Sequence, residues 1–266
     1  LTLEANDCSG SSGGKCTGNR GNGAGYILMS GSSIDTGTGT FTATVGTQVS
    51  NAADIILLTV KAGSLSVTNS NTTANSDVSL GALTVGGDLT ATATNGTITD
   101  SGVLTVTGAA TINAGSNAVT LDNGNAFSGA LTLTSAALEL GATTVGGALS
   151  VTASGAVTDT GVLTVTGTSS FTTSTDDALI TLDSANLFTG AVSLSTAGTT
   201  GDAALTTGTT ALILGTSTVN GDLAATAAGN VTQTGALTIL GTTTITATGN
   251  DVTLDSTSND FDSDDN

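Results

Sequence analysis

Acidic residues near the end of this sequence have a spacing that could bind a metal ion. Asp260, Asp262 and Asp264 stand at alternate positions, and Asp265 follows them. Carboxylates at every second position resemble part of a calcium-binding loop. The central glycine and the closing glutamate of such a loop are missing, so the alternative is a set of solvated acidic residues. Calcium is the one cofactor that the sequence suggests.

The two cysteines form a second candidate group. Cys8 and Cys16 lie in a glycine- and serine-rich stretch, and the remaining sequence has no cysteine. We predict a local disulfide, which would form in an oxidising compartment. The alternative is a pair of free thiols in a flexible loop. A zinc site is disfavoured, because the chain has no histidine to add to the two thiolates.

Catalytic chemistry has little support. Without histidine, the commonest general base is missing, and a serine or cysteine nucleophile has no imidazole to activate it. The enzymatic alternative is a polysaccharide hydrolase or lyase with paired carboxylates. Asp176 and Asp177 are the one adjacent pair in the middle of the sequence. Aromatic and basic residues that could hold a sugar are scarce, so we expect no enzyme.

The charge of the chain restricts its partners. The net charge is −18, and the three basic residues all lie within the first 61 positions. Nucleic acid is excluded as a natural partner, because phosphate binding needs clustered lysine and arginine. We also expect no membrane insertion, since the most apolar run, residues 55–60, is far shorter than the ~20 residues that a membrane helix requires. This run is predicted to form one fully buried strand.

Internal repetition organises the rest of the chain. The segment GALTVGGDLTATATNGTITD at residue 81 returns in related form at residues 141 and 215. We therefore predict three-part repeats over 81–140, 141–214 and 215–266, the last one incomplete. The second copy is longer than the first, and the excess at 198–209 is predicted to be a surface insertion. Degenerate repeats are expected over 26–80, preceded by a strand and the cysteine loop over 1–25.

Each repeat contains short runs such as Leu-Thr-Val, bounded by Gly, Asn, Asp and Ser. Alternation of period two in β-branched residues predicts strands. A unit of about 20 residues cannot bury its own apolar side, but neighbouring units can cover it. Each unit is therefore predicted to form one turn of a parallel β-solenoid, an all-β fold. Corner glycines such as Gly86, Gly87 and Gly146 are predicted to take positive φ. The residues predicted to point inward are Leu83, Val85, Leu104, Val106, Leu163, Val165, Leu237 and Ile239.

Acidic residues recur at the corners of these repeats. Asp100 matches Asp159, and Asp88 matches Asp222. Because aspartate favours turns, we predict that these residues are solvated. The same prediction applies to the matched set Asp122, Asp183 and Asp255.

Three motifs, GxLTVxG, TxTITAxGNDVTLD and NxFTGAVSLS, resemble the repeats of bacterial filamentous-haemagglutinin-like exoproteins and other large repeat adhesins. The resemblance covers about residues 80–266. It implies a right-handed parallel β-helix, secretion to the cell surface, and a role in adhesion, biofilm or surface coats.

Two functions follow as hypotheses. One is a structural subunit of an extracellular filament or coat, which has itself as its partner. The other is the stalk fragment of a secreted adhesin that binds a host or surface glycan.

The first hypothesis predicts a particular joint between subunits. The third copy of one segment reaches Phe261 without the strand that follows it in earlier copies, and the chain opens with Leu1, Thr2 and Leu3. We predict that this N-terminal strand completes the last turn of a neighbouring chain by strand addition. The cysteine loop would then lie at the joint. The alternative is that Leu-Thr-Leu is simply a common tripeptide in such a chain.

Overall fold

The structure is a computed structural model that describes residues 1–5, 27–31, 33–46, 52–72 and 75–261. In these residues the chain forms 31 short β-strands and no helix. Every described strand pair is parallel, and the strands stack into a β-solenoid of about 10 turns with ~21 residues per turn. The predicted all-β parallel solenoid is confirmed.

The strands in chain order are β1 (Thr2–Ala5), β2 (Ile27–Leu28), β3 (Ser33–Asp35), β4 (Thr40–Val45), β5 (Ile55–Ile56), β6 (Thr59–Ala62), β7 (Ser64–Asn69), β8 (Val78–Leu80), β9 (Ala82–Val85) and β10 (Leu89–Ala93). They continue as β11 (Ile98–Asp100), β12 (Leu104–Val106), β13 (Ala110–Asn113), β14 (Val119–Leu121), β15 (Asn125–Phe127), β16 (Leu131–Ser135), β17 (Leu138–Leu140), β18 (Thr143–Val145), β19 (Leu149–Ala153), β20 (Val157–Asp159) and β21 (Leu163–Val165). The last ten are β22 (Ser169–Asp176), β23 (Ile180–Phe188), β24 (Val192–Ala197), β25 (Ala203–Thr207), β26 (Leu212–Leu214), β27 (Ser217–Val219), β28 (Leu223–Ala227), β29 (Val231–Gln233), β30 (Leu237–Ile239) and β31 (Thr243–Ala247).

The strands form three faces around one interior. The first face stacks β1, β4, β7, β10, β13, β16, β19, β22 and β24, and continues through β26, β27, β29 and β30. The second face contains β2, β5, β8, β11, β14, β17, β20, the start of β23, β25, β28 and β31. The third face contains β3, β6, β9, β12, β15, β18, β21 and the end of β23.

Strict alternation fills the interior with aliphatic side chains. Leu104 and Val106 of β12 are buried, whereas Thr105 between them is exposed. All eight residues that the sequence predicts to point inward are at most 2 % exposed. Burying one Val, Leu or Ile side chain stabilises the fold by about 1.5–3 kcal/mol, so the stacked aliphatic columns supply the main driving force for folding.

The glycines at the corners have a different role from the predicted one. Gly86, Gly87 and Gly146 do not have positive φ. A β-carbon on Gly87 would instead lie 2.7 Å from the carbonyl oxygen of Gly63 on the neighbouring turn. Glycine is needed here because the backbones of successive turns approach too closely for a side chain.

Two other local predictions were wrong. Residues 55–60 do not form one strand, because the chain turns a corner there between β5 and β6 and leaves Leu58 36 % exposed. Residues 198–209 are not a surface insertion, since β25 adds a turn to the second face and buries Ala203 and Leu205. As a result, Leu149 lies on the first face and its sequence equivalent Leu223 on the second.

The interior column can be tested at Val106. We expect Val106→Asp to lower the free energy of unfolding by about 3 kcal/mol or more, because the carboxylate has no partner in the aliphatic interior. Thr105→Asp, on the outward side of the same strand, is the matched control and should be nearly neutral. Urea unfolding followed by circular dichroism measures both variants. Equal losses in the two variants would contradict the inward and outward assignment.

Candidate functional sites along the corners

Two buried carboxylates lie at the corner between the second and third faces. Asp100, at the end of β11, is 7 % exposed. Its Oδ2 accepts a hydrogen bond of 2.6 Å from Nδ2 of Asn125, one turn further along. Asn125 in turn accepts the backbone N–H of Leu104 on its Oδ1 at 2.8 Å. The Asp100 Oδ1 also accepts the N–H of Asp122 at 3.0 Å. The pair therefore fastens consecutive turns together.

The same arrangement recurs in the next copy of the repeat. Asp159 is 7 % exposed, and its Oδ2 accepts a hydrogen bond of 2.6 Å from Nδ2 of Asn186. Asn186 is fully buried and accepts the N–H of Leu163 at 2.7 Å. We call each such pair a corner clasp, defined by Asp100 with Asn125 and by Asp159 with Asn186.

The third copy of the repeat has an equivalent pair in which both side chains are neutral. Gln233 replaces the aspartate, and Asn259 occupies the asparagine position. The two amides pair reciprocally: Nε2 of Gln233 donates to Oδ1 of Asn259 at 2.8 Å, and Nδ2 of Asn259 donates to Oε1 of Gln233 at 2.8 Å. Asn259 also accepts the N–H of Leu237 at 3.0 Å. The clasp therefore does not depend on a charge.

The clasps explain the three-part repeat in physical terms. On the second face, the same inward position of four successive turns is occupied by Asp100, Leu121, Leu140 and Asp159. A polar pair thus replaces the leucine at every third turn of this region. The prediction that Asp100 and Asp159 are solvated turn residues was wrong, because both lie under the next turn of the chain. Sequence reasoning also missed the asparagines, although each stands two residues before a repeated phenylalanine.

Burial changes the titration of both carboxyl groups. Desolvation raises the pKa of Asp100 above its ordinary value of 3.8, although hydrogen bonds from Asn125 and Asn123 oppose the shift. Desolvation likewise raises the pKa of Asp159, opposed by the hydrogen bond from Asn186 and increased by the nearby Asp183 carboxylate. Both groups therefore bind protons more readily in the folded chain than in the unfolded chain.

Exposed aspartates at other corners accept backbone N–H groups from the following turn. The Asp222 carboxylate accepts the N–H of Thr242 at 2.7 Å, and Asp202 accepts that of Asp222 at 2.7 Å. Asp88 accepts the N–H of Ala109 at 2.9 Å. These groups satisfy backbone donors that the turns would otherwise leave unpaired. The predicted exposure is confirmed for Asp88, Asp122, Asp183, Asp222 and Asp255.

Asp176 and Asp177, the adjacent carboxylates that a polysaccharide-cleaving enzyme would use, lie at a corner with a strained backbone. Asp177 has φ of 62°, a conformation that is uncommon for residues with a side chain. Its Oδ1 accepts the N–H groups of Thr199 at 3.0 Å and Thr200 at 2.8 Å. These hydrogen bonds hold the pKa of Asp177 below its ordinary value. The carboxylate therefore stabilises the turn above it.

The remaining predicted sites fall partly outside the described residues. The residues outside the described ranges include Cys8, Cys16, Asp262, Asp264 and Asp265. The disulfide and most of the calcium site therefore stay predictions. Of the acidic set, the structure describes Asp260, whose backbone N–H donates to the carbonyl of Leu237 at 2.8 Å. Within the described ranges, no group of three or more His, Cys, Asp or Glu residues could hold a metal ion.

The residues predicted for self-assembly lie at opposite ends of the described stack. Leu1, Thr2 and Leu3 belong to the first turn, where β1 pairs with β4 of the same chain. They therefore already occupy a place in their own stack. Phe261 is 40 % exposed in the last described turn, unlike Phe127 and Phe188, which are buried. Pairing of β1 with a neighbouring chain stays a prediction.

The described surface also includes a shallow hollow beside Lys61. It has a volume of about 370 Å³ and is lined mainly by glycines and threonines of three successive turns. Lys61 forms an ion pair of 3.3 Å with Asp35, with both side chains more than half exposed. Such an exposed pair contributes little stability. No helix able to cross a membrane occurs in the part of the chain that the structure describes.

The fold and its clasps define the protein as a repeat protein of the parallel β-solenoid class. Residues 62–134, 128–195 and 200–264 match the family described as repeats of unknown function (DUF5649). These segments cover most of the sequence, and the chain belongs to this family. Comparisons with curated proteins and with solved structures give no match.

The clasps predict a pH dependence of stability. Because burial raises the pKa values of Asp100 and Asp159, the stability that they contribute rises as the pH falls through the folded pKa toward 3.8. A double variant, Asp100→Gln with Asp159→Gln, copies the clasp of Gln233 and removes this titration. We expect its melting temperature to exceed that of the wild type at pH 7 by more than at pH 4. A difference that does not change with pH would contradict the assignment.

The acidic set at residues 260–265 predicts a dependence on calcium. If these carboxylates bind the ion, a chelator should lower the melting temperature of the wild type, because the ion stabilises only the folded chain. Asp262→Ala should remove that sensitivity, and Asp222→Ala, at a distant corner, should keep it. Equal wild-type melting temperatures with and without chelator would leave only the alternative, in which these acidic residues are solvated and bind no ion.

Proposed function

We propose that this chain is a structural element of an extracellular bacterial filament or surface coat. The observation that carries the proposal is the uninterrupted parallel stacking of the first face from β1 to β24. A solenoid of this kind gains stability from each interface between neighbouring turns. It can therefore span distance and resist bending without a separate support.

The surface chemistry fits this role. The acidic corner residues accept backbone N–H groups of the next turn, and the clasps fasten every third turn over 100–186, so many of the polar groups at the corners serve the stack itself. The resemblance to filamentous-haemagglutinin-like exoproteins supports a location outside the cell. It also supports the second candidate, the stalk of a secreted adhesin.

End-to-end association is the form of assembly that the geometry favours. Leu1 donates its N-terminal N–H to the carbonyl of Thr40 at 3.0 Å and accepts the N–H of Thr42 at 2.9 Å. Backbone groups of successive strand residues point to opposite edges, so those of Thr2 and Glu4 face away from β4. Among the described strands, β1 pairs only with β4, and an unpaired strand edge is a template for pairing with another chain. Two unlike ends that pair in this way build a filament rather than a closed ring.

This proposal predicts filaments that depend on the outer edge of β1. Glu4→Pro removes one outward donor while leaving the bonds to β4 in place, and proline is tolerated on an edge strand. Electron microscopy should show unbranched filaments of the wild type and single particles of Glu4→Pro. Glu4→Gln keeps the N–H group and is the matched control, which should still form filaments.

Two results would contradict the filament proposal. The first is a wild-type chain that stays monomeric at all concentrations and salt conditions tested. The second is Glu4→Pro filaments indistinguishable from those of the wild type. A monomeric rod would favour the stalk, and its discriminating measurement is the size of the native protein, since a stalk belongs to a much longer chain.

A further inference from the structure

The outward side of the first face is unlike the rest of the surface. From β4 to β24, eight strands share two outward positions, which stack in register as two columns. The sixteen residues are ten threonines, five serines and one asparagine. They are Thr42, Thr44, Ser66, Thr68, Thr90, Thr92, Thr111, Asn113, Thr132, Thr134, Ser150, Thr152, Ser170, Thr172, Ser193 and Ser195. We call this set the hydroxyl face.

The hydroxyl face carries no charge, although the chain has a net charge of −18. A preference of strands for threonine would apply to all three faces equally. The outward column of the second face nevertheless includes Ile56 and Glu139. That of the third face includes Lys61 and Leu187. The composition of the hydroxyl face therefore needs a cause beyond strand propensity and threonine stacking.

The hydroxyl groups of this face are available to an external partner. Its fifteen serine and threonine side chains make no hydrogen bond to any described residue, whereas Asn113 accepts the N–H of Gly115. Threonine offers one hydroxyl and one methyl group, and its branched β-carbon restricts the side-chain rotamer. The face therefore presents rigid groups that need little ordering when they bind.

The spacing of the hydroxyl face is regular in two directions. Adjacent strands lie about 4.8 Å apart, and alternate residues along a strand lie about 6.6 Å apart. The pairing of β4 through β19 continues without a register shift; the first shift comes after Thr172, between β22 and β24. Many weak contacts add up on such an array only if the partner repeats with matching distances. A partner without that periodicity gains nothing from the arrangement.

We propose that the hydroxyl face binds the surface of ice. Ice is uncharged, is periodic in two dimensions, and presents rows of water molecules with a repeat close to the strand spacing. Its water molecules can donate hydrogen bonds to every hydroxyl group of the face and accept hydrogen bonds from it. The threonine methyl groups fill the spaces between the rows of water molecules. Crystalline polysaccharide is the other periodic uncharged surface, but proteins grip sugar rings with aromatic side chains, and the hydroxyl face has none.

The test is the freezing behaviour of a solution of the whole chain. The wild type should hold the freezing point below the melting point, shape growing ice crystals, and accumulate in slowly growing ice when it is fluorescently labelled. Thr132→Tyr, at the centre of the hydroxyl face, should lose most of each effect. Thr105→Tyr, in an outward position of the third face, is the matched control and should retain them. Circular dichroism confirms that the variants fold, and Thr111→Lys replaces Thr132→Tyr if the latter unfolds.

Several results would overturn the proposal. One is a wild-type chain that leaves the freezing point unchanged and is excluded from ice. Another is an equal loss in the hydroxyl-face and third-face variants. Two further results would assign the face to a different occupant: binding to insoluble cellulose or chitin that Thr132→Tyr abolishes, or a dimer in light scattering that the same variant dissociates.

Discussion

The structure depends on the parallel pairing of equivalent positions in successive turns. Because side chains alternate in a strand, a register slip by one residue would move every Leu and Val of that strand to the surface. Leu83 therefore stacks on Leu104, and Val85 stacks on Val106, with the threonines between them outside. One constraint thus produces both the aliphatic interior and the regular polar exterior. It also explains why glycine is required where the backbones of neighbouring turns approach each other.

Buried polar groups add a longer period to this simple stack. A column of leucines would satisfy the interior of the second face, yet Asp100 and Asp159 interrupt it and pair with asparagines one turn away. An ionised carboxylate loses hydration in this position, which is why the pKa of each aspartate is raised. The gain is that the asparagine of each clasp accepts a backbone N–H group, that of Leu104 in one clasp and that of Leu163 in the other. Gln233 shows that an amide can serve the same purpose.

The sequence was sufficient for the features that depend on local alternation. Leu-Thr-Val runs identified the inward residues, and repeat copies identified the length of a turn. Features that depend on the neighbouring turn were not predictable. Asp100 looks like an ordinary turn residue because Asn125 is distant in sequence. Residues 55–58 are all isoleucine or leucine, so alternation could not locate the corner between β5 and β6. The segment at 198–209 lacks a counterpart in other copies, so nothing indicated that Ala203 and Leu205 would join the core.

The central claim is that the chain is one continuous, stiff stack of turns, and small-angle X-ray scattering from the chain in solution tests it most directly. About 10 turns at about 4.8 Å per turn predict a rod of uniform cross-section near 50 Å long. The scattering should fit one such rod, or whole multiples of its length if chains join end to end. A profile typical of an expanded flexible chain, or of a compact sphere, would contradict the account.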